Sequence, residues 1–336
     1  MSRRNTHRRI RRRDLQKVLI VLSVLFFFIA VGGFVISRWE NKKYATGGGE
    51  SSVEVEPIIK DAETVTVDGT TYTRNKKVRS YLIMGADSYD EPVSRKSGGQ
   101  ADTQIVLVVD DENETWRLLQ LDRDTMVMMD IHDEEDNVIA MTKGQLTLAH
   151  AFGRWETGAR YTAELVSKLL GIDRMDGYFS MNLAALPILN DAVGGVTVKV
   201  TTDFTDVDDT LVLGEEITLT GEQAETFVRS RMSVDDGTNQ ARMARQEAYL
   251  RGFIKAASNL DDEQILEIYN QLMEHSVTSM GAADFVELAE ISKSYKELDM
   301  LKFEGEHTVN NGHMEFYIDE NSLQNVILQL YYTAGN

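Results

Sequence analysis

The stretch QADTQIVLVVDDENETWRLLQLDRDT, residues 100–125, decides the fold. Its two apolar runs, Gln104 to Val109 and Arg117 to Leu121, read as buried strands rather than half-exposed ones. Between them, Asp110-Asp111-Glu112-Asn113 is turn-like, so the runs make a hairpin. Polar residues collect at one end of it. Gln100-Ala101-Asp102-Thr103 precedes the first strand, and Asp122-Arg123-Asp124-Thr125 follows the second. Strand ends are where open α/β sheets place their ligands.

Outward from this hairpin the pattern alternates. Ser80 to Met84 is a third apolar run, and Thr64–Val67 with Thr71–Thr73 flank an Asp68-Gly69 turn. Downstream, helical spacing is expected around Leu146 to Phe152 and over Tyr161 to Leu170, which Gly171 ends. Gly177 to Ser180 is a short strand. Asn182 is expected to cap a helix through Val193, with Pro187 in an early turn or at a kink. After the strand Val196 to Val200, the acidic segment Asp203 to Glu216 reads as a solvated loop. Helices are expected from Thr220 to Arg229, Gln240 to Ser258, Asp262 to Glu274, Ala282 to Tyr295 and Ser322 to Tyr332. Strands fall at Met300 to Glu304 and Met314 to Ile318. Interleaved strands and helices predict an α/β fold: one α-β-α layered domain with a central mixed sheet over residues 61–336, its core within 78–258.

The chain before this domain has a different character. The net charge of −19 divides into +7 for residues 1–17 and −26 for the rest. Val18 to Ser37 carries no charge, and roughly 20 apolar residues at about 1.5 Å rise suffice to span a bilayer. The run is long and lacks an A-x-A-like site, which favours an uncleaved anchor over a signal peptide. The basic segment 1–17 then stays in the cytoplasm, residues 38–60 form a stalk, and the domain lies extracellularly at the cell membrane. Abutting an apolar span, the basic run reads as a topology signal and anionic-lipid contact, not a nucleic-acid site. With no cysteine, disulfides and thiolate chemistry are excluded.

No P-loop, G-x-S-x-G elbow or H-E-x-x-H motif is present. The histidines do not pair at ligand spacing, and His150 reads as a satisfied core residue. Against the acidic exterior, a group of arginines is unusual. Arg242, Arg245 and Gln246 share a helix face, and Arg229 and Arg231 lie just upstream. Guanidinium groups grip phosphate oxygens bidentately, and Asp102 and Asp124 at strand ends can hold Mg²⁺ or Mn²⁺. Together these are the parts of a diphosphate site.

At these residues the sequence resembles the LytR–CpsA–Psr family. The resemblance rests on LIMGADS (82–88), ADTQIVLVVD (101–110), LDRDTMV (121–127), LTLAHAFG (146–153), GYFSMNLAALPILNDAVGGVTVKV (177–200) and LTGEQAETFVRSRMSVDDGTNQARMARQ (219–246). It implies a membrane-anchored phosphotransferase. Such an enzyme moves a glycopolymer, for example teichoic acid or capsule, from a polyprenyl-diphosphate carrier to peptidoglycan, assisted by Mg²⁺. The lipid tail is then expected in an apolar pocket, with Gly177 to Val193 and Tyr249 to Ile254 as candidate lining, although plain core packing is the favoured reading for each of these residues. Carried over residue by residue, Asp102 and Asp124 become the metal-side carboxylates. Arg123, Arg229, Arg231, Arg242 and Arg245 become the diphosphate clamp, and Gln246 an auxiliary contact. Two positions depart from the family pattern. Gln100 stands where Arg is usual, with Arg95 nearby, and Asn239 stands where Asp is common, with Asp235 and Asp236 nearby. Two other readings use the same residues: a polyprenyl-diphosphate hydrolase, and a non-catalytic surface regulator or transcriptional attenuator.

Overall fold

A computed structural model describes residues 62–88, 98–133, 135–230, 234, 239–257, 260 and 262–335. The stretches read as tail, anchor and stalk lie outside the described residues, as do Arg95, Arg231, Asp235 and Asp236. Among the described residues no helix is long and apolar enough to cross a membrane.

The described residues open with β1 (Thr64–Val67) and β2 (Thr70–Arg74), paired around Asp68 and Gly69, both at positive φ as a tight hairpin turn requires. The main sheet follows: β3 (Val78–Ala86), β4 (Ala101–Asp110) and β5 (Thr115–Leu121), antiparallel in sequence. A second hairpin, β6 (Met126–His132) and β7 (Val138–Gln145), leads into a 3-10 helix (Leu146–Phe152) and α1 (Trp155–Leu170). Next come β8 (Gly177–Asn182), α2 (Ala185–Ala192), β9 (Val196–Lys199), β10 (Glu216–Leu219), α3 (Gly221–Arg229) and α4 (Asn239–Ala257). The chain continues through α5 (Asp262–Met273), β11 (Ser276–Thr278), α6 (Ala282–Ser294) and the short β12 (Lys296–Glu297) and β13 (Leu301–Lys302). A last hairpin, β14 (Gly305–Asn310) and β15 (His313–Ile318), precedes α7 (Glu320–Tyr331) and β16 (Tyr332–Ala334).

The main sheet runs in the order β11-β8-β3-β4-β5-β12, with β13 also on β5. Strand β3 is parallel to β8 and antiparallel to β4, so the sheet is mixed, as the sequence predicted. Both faces are buried. Tyr81, Ile83, Ile105, Leu107 and Phe179 pack against α2 to α6, through Leu186, Phe227, Phe253, Leu272 and Phe285 among others. Leu82, Met84, Val106, Val108 and Leu119 pack against α1 and α7 on the other side, through Val166, Leu170, Leu323 and Ile327. This two-sided burial is why the central strands are continuously apolar. Each fully buried large side chain contributes about 1.5–3 kcal/mol of transfer free energy.

Several local expectations are corrected. Asn182 caps no helix; it ends β8 and is buried, and α2 starts at Ala185 with no side-chain cap. Pro187, by contrast, takes one of its two expected places, in the first turn of α2, where a missing N–H costs nothing. Leu146–Phe152 winds as a 3-10 helix, not an α-helix. The acidic segment is not wholly a solvated loop: Phe204 and Leu211 are buried in the core and Glu216 opens β10. The pairing of β6 with β7 is an element that the sequence reading did not assign. Phe179, Met181, Leu186, Leu189, Tyr249 and Phe253 belong to the packed core, the reading favoured for them over lipid-pocket lining.

Candidate active site

The site forms at one end of the main sheet, where β4 begins and β5 ends. Its first device is a break in register. Thr103 pairs with Gly85 and Ala101 with Ala86, so Asp102 is the extra residue of a β-bulge. Bulges re-aim side chains and recur beside active sites. Asp102 is thereby buried to 4% exposure at the starting end of an interior strand of the apolar sheet.

The second device is the turn after β5. The Asp122 carboxylate accepts the Asp124 N–H at 2.9 Å, and the Asp122 carbonyl accepts from the Thr125 N–H at 3.1 Å and the Thr125 hydroxyl at 2.6 Å. The start of the 3-10 helix closes the turn from below: Leu146 N–H donates to Thr125 O and Thr147 N–H to Arg123 O, at 2.7 and 3.0 Å. A polar residue at a turn, bonding the backbone two residues on, is the ordinary role of Asp in this position.

The turn delivers Arg123 between the two carboxylates. Its Nη1 lies 2.5 Å from Asp102 Oδ1 and its Nε 3.5 Å from Asp124 Oδ1. Nη2 donates to Gln100 Oε1 at 3.0 Å, so Gln100 is a working member of the cluster. The Thr147 hydroxyl donates to Asp102 Oδ1 at 3.0 Å, and Gln145 Nε2 donates to Asp124 Oδ1 at 2.7 Å. Burial pushes the Asp102 carboxyl up to about 6; Arg123 and Arg242 pull it down, while Asp87 adds to the rise.

The helical arginines divide into two kinds. Arg229, at the end of α3, pairs with Glu225 and reaches to 3.8 Å from Asp87 Oδ1. Arg242, buried on α4, acts electrostatically on Asp102 and so belongs with the carboxylates. Arg245 is held differently. Its Nε donates to Phe227 O at 3.0 Å, its Nη2 donates to Ser230 O, and its guanidinium stacks 5.6 Å over Phe204. Gln246 Nε2 lies 3.5 Å from Val228 O. Arg245 and Gln246 thus tie α4 to the α3 terminus, where those carbonyls would otherwise lack intrahelical partners.

His150 is a satisfied core histidine. It bridges Gly99 O at 3.0 Å and Ser180 Oγ at 2.9 Å, and stands edge-on to Trp155. Asp87, Gln145 and Thr147 were not singled out by the sequence reading, although Asp87 and Thr147 lie within the quoted stretches 82–88 and 146–153.

For a divalent cation the donors are few but apt. Among the described residues no group of three or more His, Cys, Asp or Glu could hold a metal. The Asp102 Oδ2 atom, however, is buried with no hydrogen-bond partner among the described residues. Mg²⁺ is commonly held by one or two carboxylates, with phosphate oxygens and water completing the shell.

Fold and site together define a mixed-sheet α/β protein with a buried carboxylate–guanidinium centre at its strand ends. Residues 42–331 match the LytR_cpsA_psr family, and the chain belongs to it. The chain is 27% identical over 258 residues to a polyisoprenyl-teichoic acid–peptidoglycan teichoic acid transferase, TagU, of Enterococcus faecalis, covering 76% of this chain and 80% of that protein. It is 23% identical over 331 residues to the TagU transferase of Bacillus subtilis, covering 97% and 98%. The crystal structure of B. subtilis TagV superposes with a TM-score of 0.59 at 26% identity, covering 76% of this chain and 96% of that one.

Proposed function

We propose that this protein transfers a glycopolymer from a polyprenyl-diphosphate carrier to peptidoglycan. One observation carries the reading: Arg123 lies between Asp102 and Asp124 at the strand ends, with Arg229 beside Asp87 and Arg242 acting on Asp102. Arginine and carboxylate groups gathered in a low-dielectric site suit a phosphoanhydride better than a neutral substrate. Family membership and the transferase relatives support the same chemistry.

In the transfer, an acceptor hydroxyl oxygen attacks the phosphorus that carries the glycan. The bond from that phosphorus to the bridging oxygen breaks, polyprenyl phosphate leaves, and the hydroxyl proton passes to a base. Arg123, Arg229 and Arg242 balance the charge growing on the leaving phosphate. Asp102 and Asp124, the carboxylates flanking Arg123 at the strand ends, are the candidate acceptors of that proton. Bound Mg²⁺ would be held by Asp102 and Asp124 and would neutralise charge on the phosphate oxygens. A charge-free apolar segment at residues 18–37 would keep the domain at the outer face of the cell membrane, where a lipid-borne donor is found.

Full-length protein extracted from membranes should carry polyprenyl phosphate or diphosphate, detected by mass spectrometry. Neither lipid bound, together with no binding of added polyprenyl diphosphate in the presence of Mg²⁺, would overturn the reading.

A further inference from the structure

The last hairpin, β14–β15, stands outside the main sheet and is largely exposed. Its turn is Asn311-Gly312, both at positive φ, the pairing that a two-residue hairpin favours. Three separate contacts join it to the turn that carries Asp124. Phe316 N–H donates to Asp124 O at 2.8 Å, and Phe316 bridges to Thr125. Met314 O accepts from Gln145 Nε2 at 2.7 Å, while the same amide nitrogen donates to Asp124 Oδ1 at 2.7 Å. Finally, His307 Nε2 lies 2.9 Å from Asp122 Oδ2, with its ring tilted on Phe316 at 4.5 Å.

Each contact has a directional consequence. Both N–H groups of the Gln145 amide are used, one on the hairpin backbone and one on the carboxylate, so the side chain cannot rotate without losing a bond. A carboxylate only accepts, so His307 Nε2 donates to Asp122. The other Asp122 oxygen holds the Asp124 N–H. His307 therefore fixes the carboxylate that fixes the backbone of Asp124, and Gln145 fixes its side chain.

We propose that the β14–β15 hairpin is the outer support of the Asp124 carboxylate, with Gln145 and His307 as positioning residues for the transfer. The inference rests on the transfer reading for its consequence and on geometry alone for the support itself. Supporting groups of this kind are typically worth about 10- to 100-fold in activity or metal affinity.

The test uses the full chain in detergent micelles, with lipid-linked oligosaccharide and peptidoglycan as substrates. His307→Ala and Gln145→Met should each lower kcat about 10- to 100-fold. The KM for the lipid should stay within about twofold, as expected when the lost contact acts in the transition state. His307→Gln, which keeps a donor, should recover most of the loss. Hydrogen–deuterium exchange at residues 121–127 should quicken in His307→Ala and Gln145→Met, while exchange in β3 and β8 stays unchanged. Wild-type kcat in both variants, no recovery in His307→Gln, or unaltered exchange at 121–127 would each overturn the proposal. If the wild-type protein transfers nothing, the transfer reading fails, and the exchange comparison alone then decides whether the hairpin supports Asp124.

Discussion

Asp102 gives the sharpest prediction, because its carboxyl is buried among apolar strands yet must ionise to serve the site. Its pKa rises from an ordinary 3.8 to about 6, burial being the main cause. At about 1.4 kcal/mol per pKa step the rise corresponds to about 3 kcal/mol. The native state holds this proton more tightly than the unfolded chain does, so unfolding releases it between about pH 4 and pH 6. Stability from this group is therefore present below the unfolded pKa and is lost as pH rises through the folded one. Asp102→Asn stays neutral at every pH and keeps an oxygen for Arg123 and Thr147. Urea titrations of both proteins at steps from about pH 4 to pH 7, without divalent cations, isolate the effect. The variant should gain about 3 kcal/mol relative to wild type as pH rises through this window. A difference that is flat with pH, or that moves the other way, would refute the burial argument.

Other consequences are local. A Cβ on Gly158 would lie 2.0 Å from the His150 backbone oxygen, so Gly158→Ala should cost about 1–3 kcal/mol by overpacking, read as a lower thermal midpoint. Thr220 and Gln223 form a reciprocal capping box at the start of α3, and Thr220→Ala should cost about 1 kcal/mol in urea unfolding. Arg245→Ala removes charged donors to two backbone carbonyls and should cost about 1.5–3 kcal/mol of stability along with activity. Arg229→Ala, at a largely buried position paired with Glu225, should lower transfer and also lower the denaturation midpoint.

The parts of this protein most legible in the sequence are those where one physical pattern rules. Continuous apolar runs at 80–84, 104–109 and 117–121 are buried on both faces and came out as central strands. Gly171 ends α1 in the left-handed conformation, as a helix-stopping glycine should. Where two signals compete, the pattern misled. Asn182 is a good cap residue in front of an apolar segment, but pairing with β3 extends β8 through it. The β6–β7 hairpin mixes exposed Val138, Ile139 and Met141 with charged residues, so neither a two- nor a three-to-four-residue period emerges. For the site, chemistry-bearing residues were visible, but the bulge that turns Asp102 inward depends on cross-strand register. Gln145 and His307 reach the Asp124 turn from 21 and 185 residues away in sequence, relative to Asp124 and Asp122 respectively. The Asn311-Gly312 pair is a hairpin signal that could have located β14.

The most direct measurement follows a labelled glycan. Full-length protein in lipid nanodiscs is incubated with Mg²⁺, polyprenyl-diphosphate-linked oligosaccharide and peptidoglycan oligomers. The account predicts label on the peptidoglycan and an equal amount of polyprenyl phosphate, both lost in Asp124→Ala. Release of the oligosaccharide to water without label on peptidoglycan, or transfer that persists in Asp124→Ala, would contradict it.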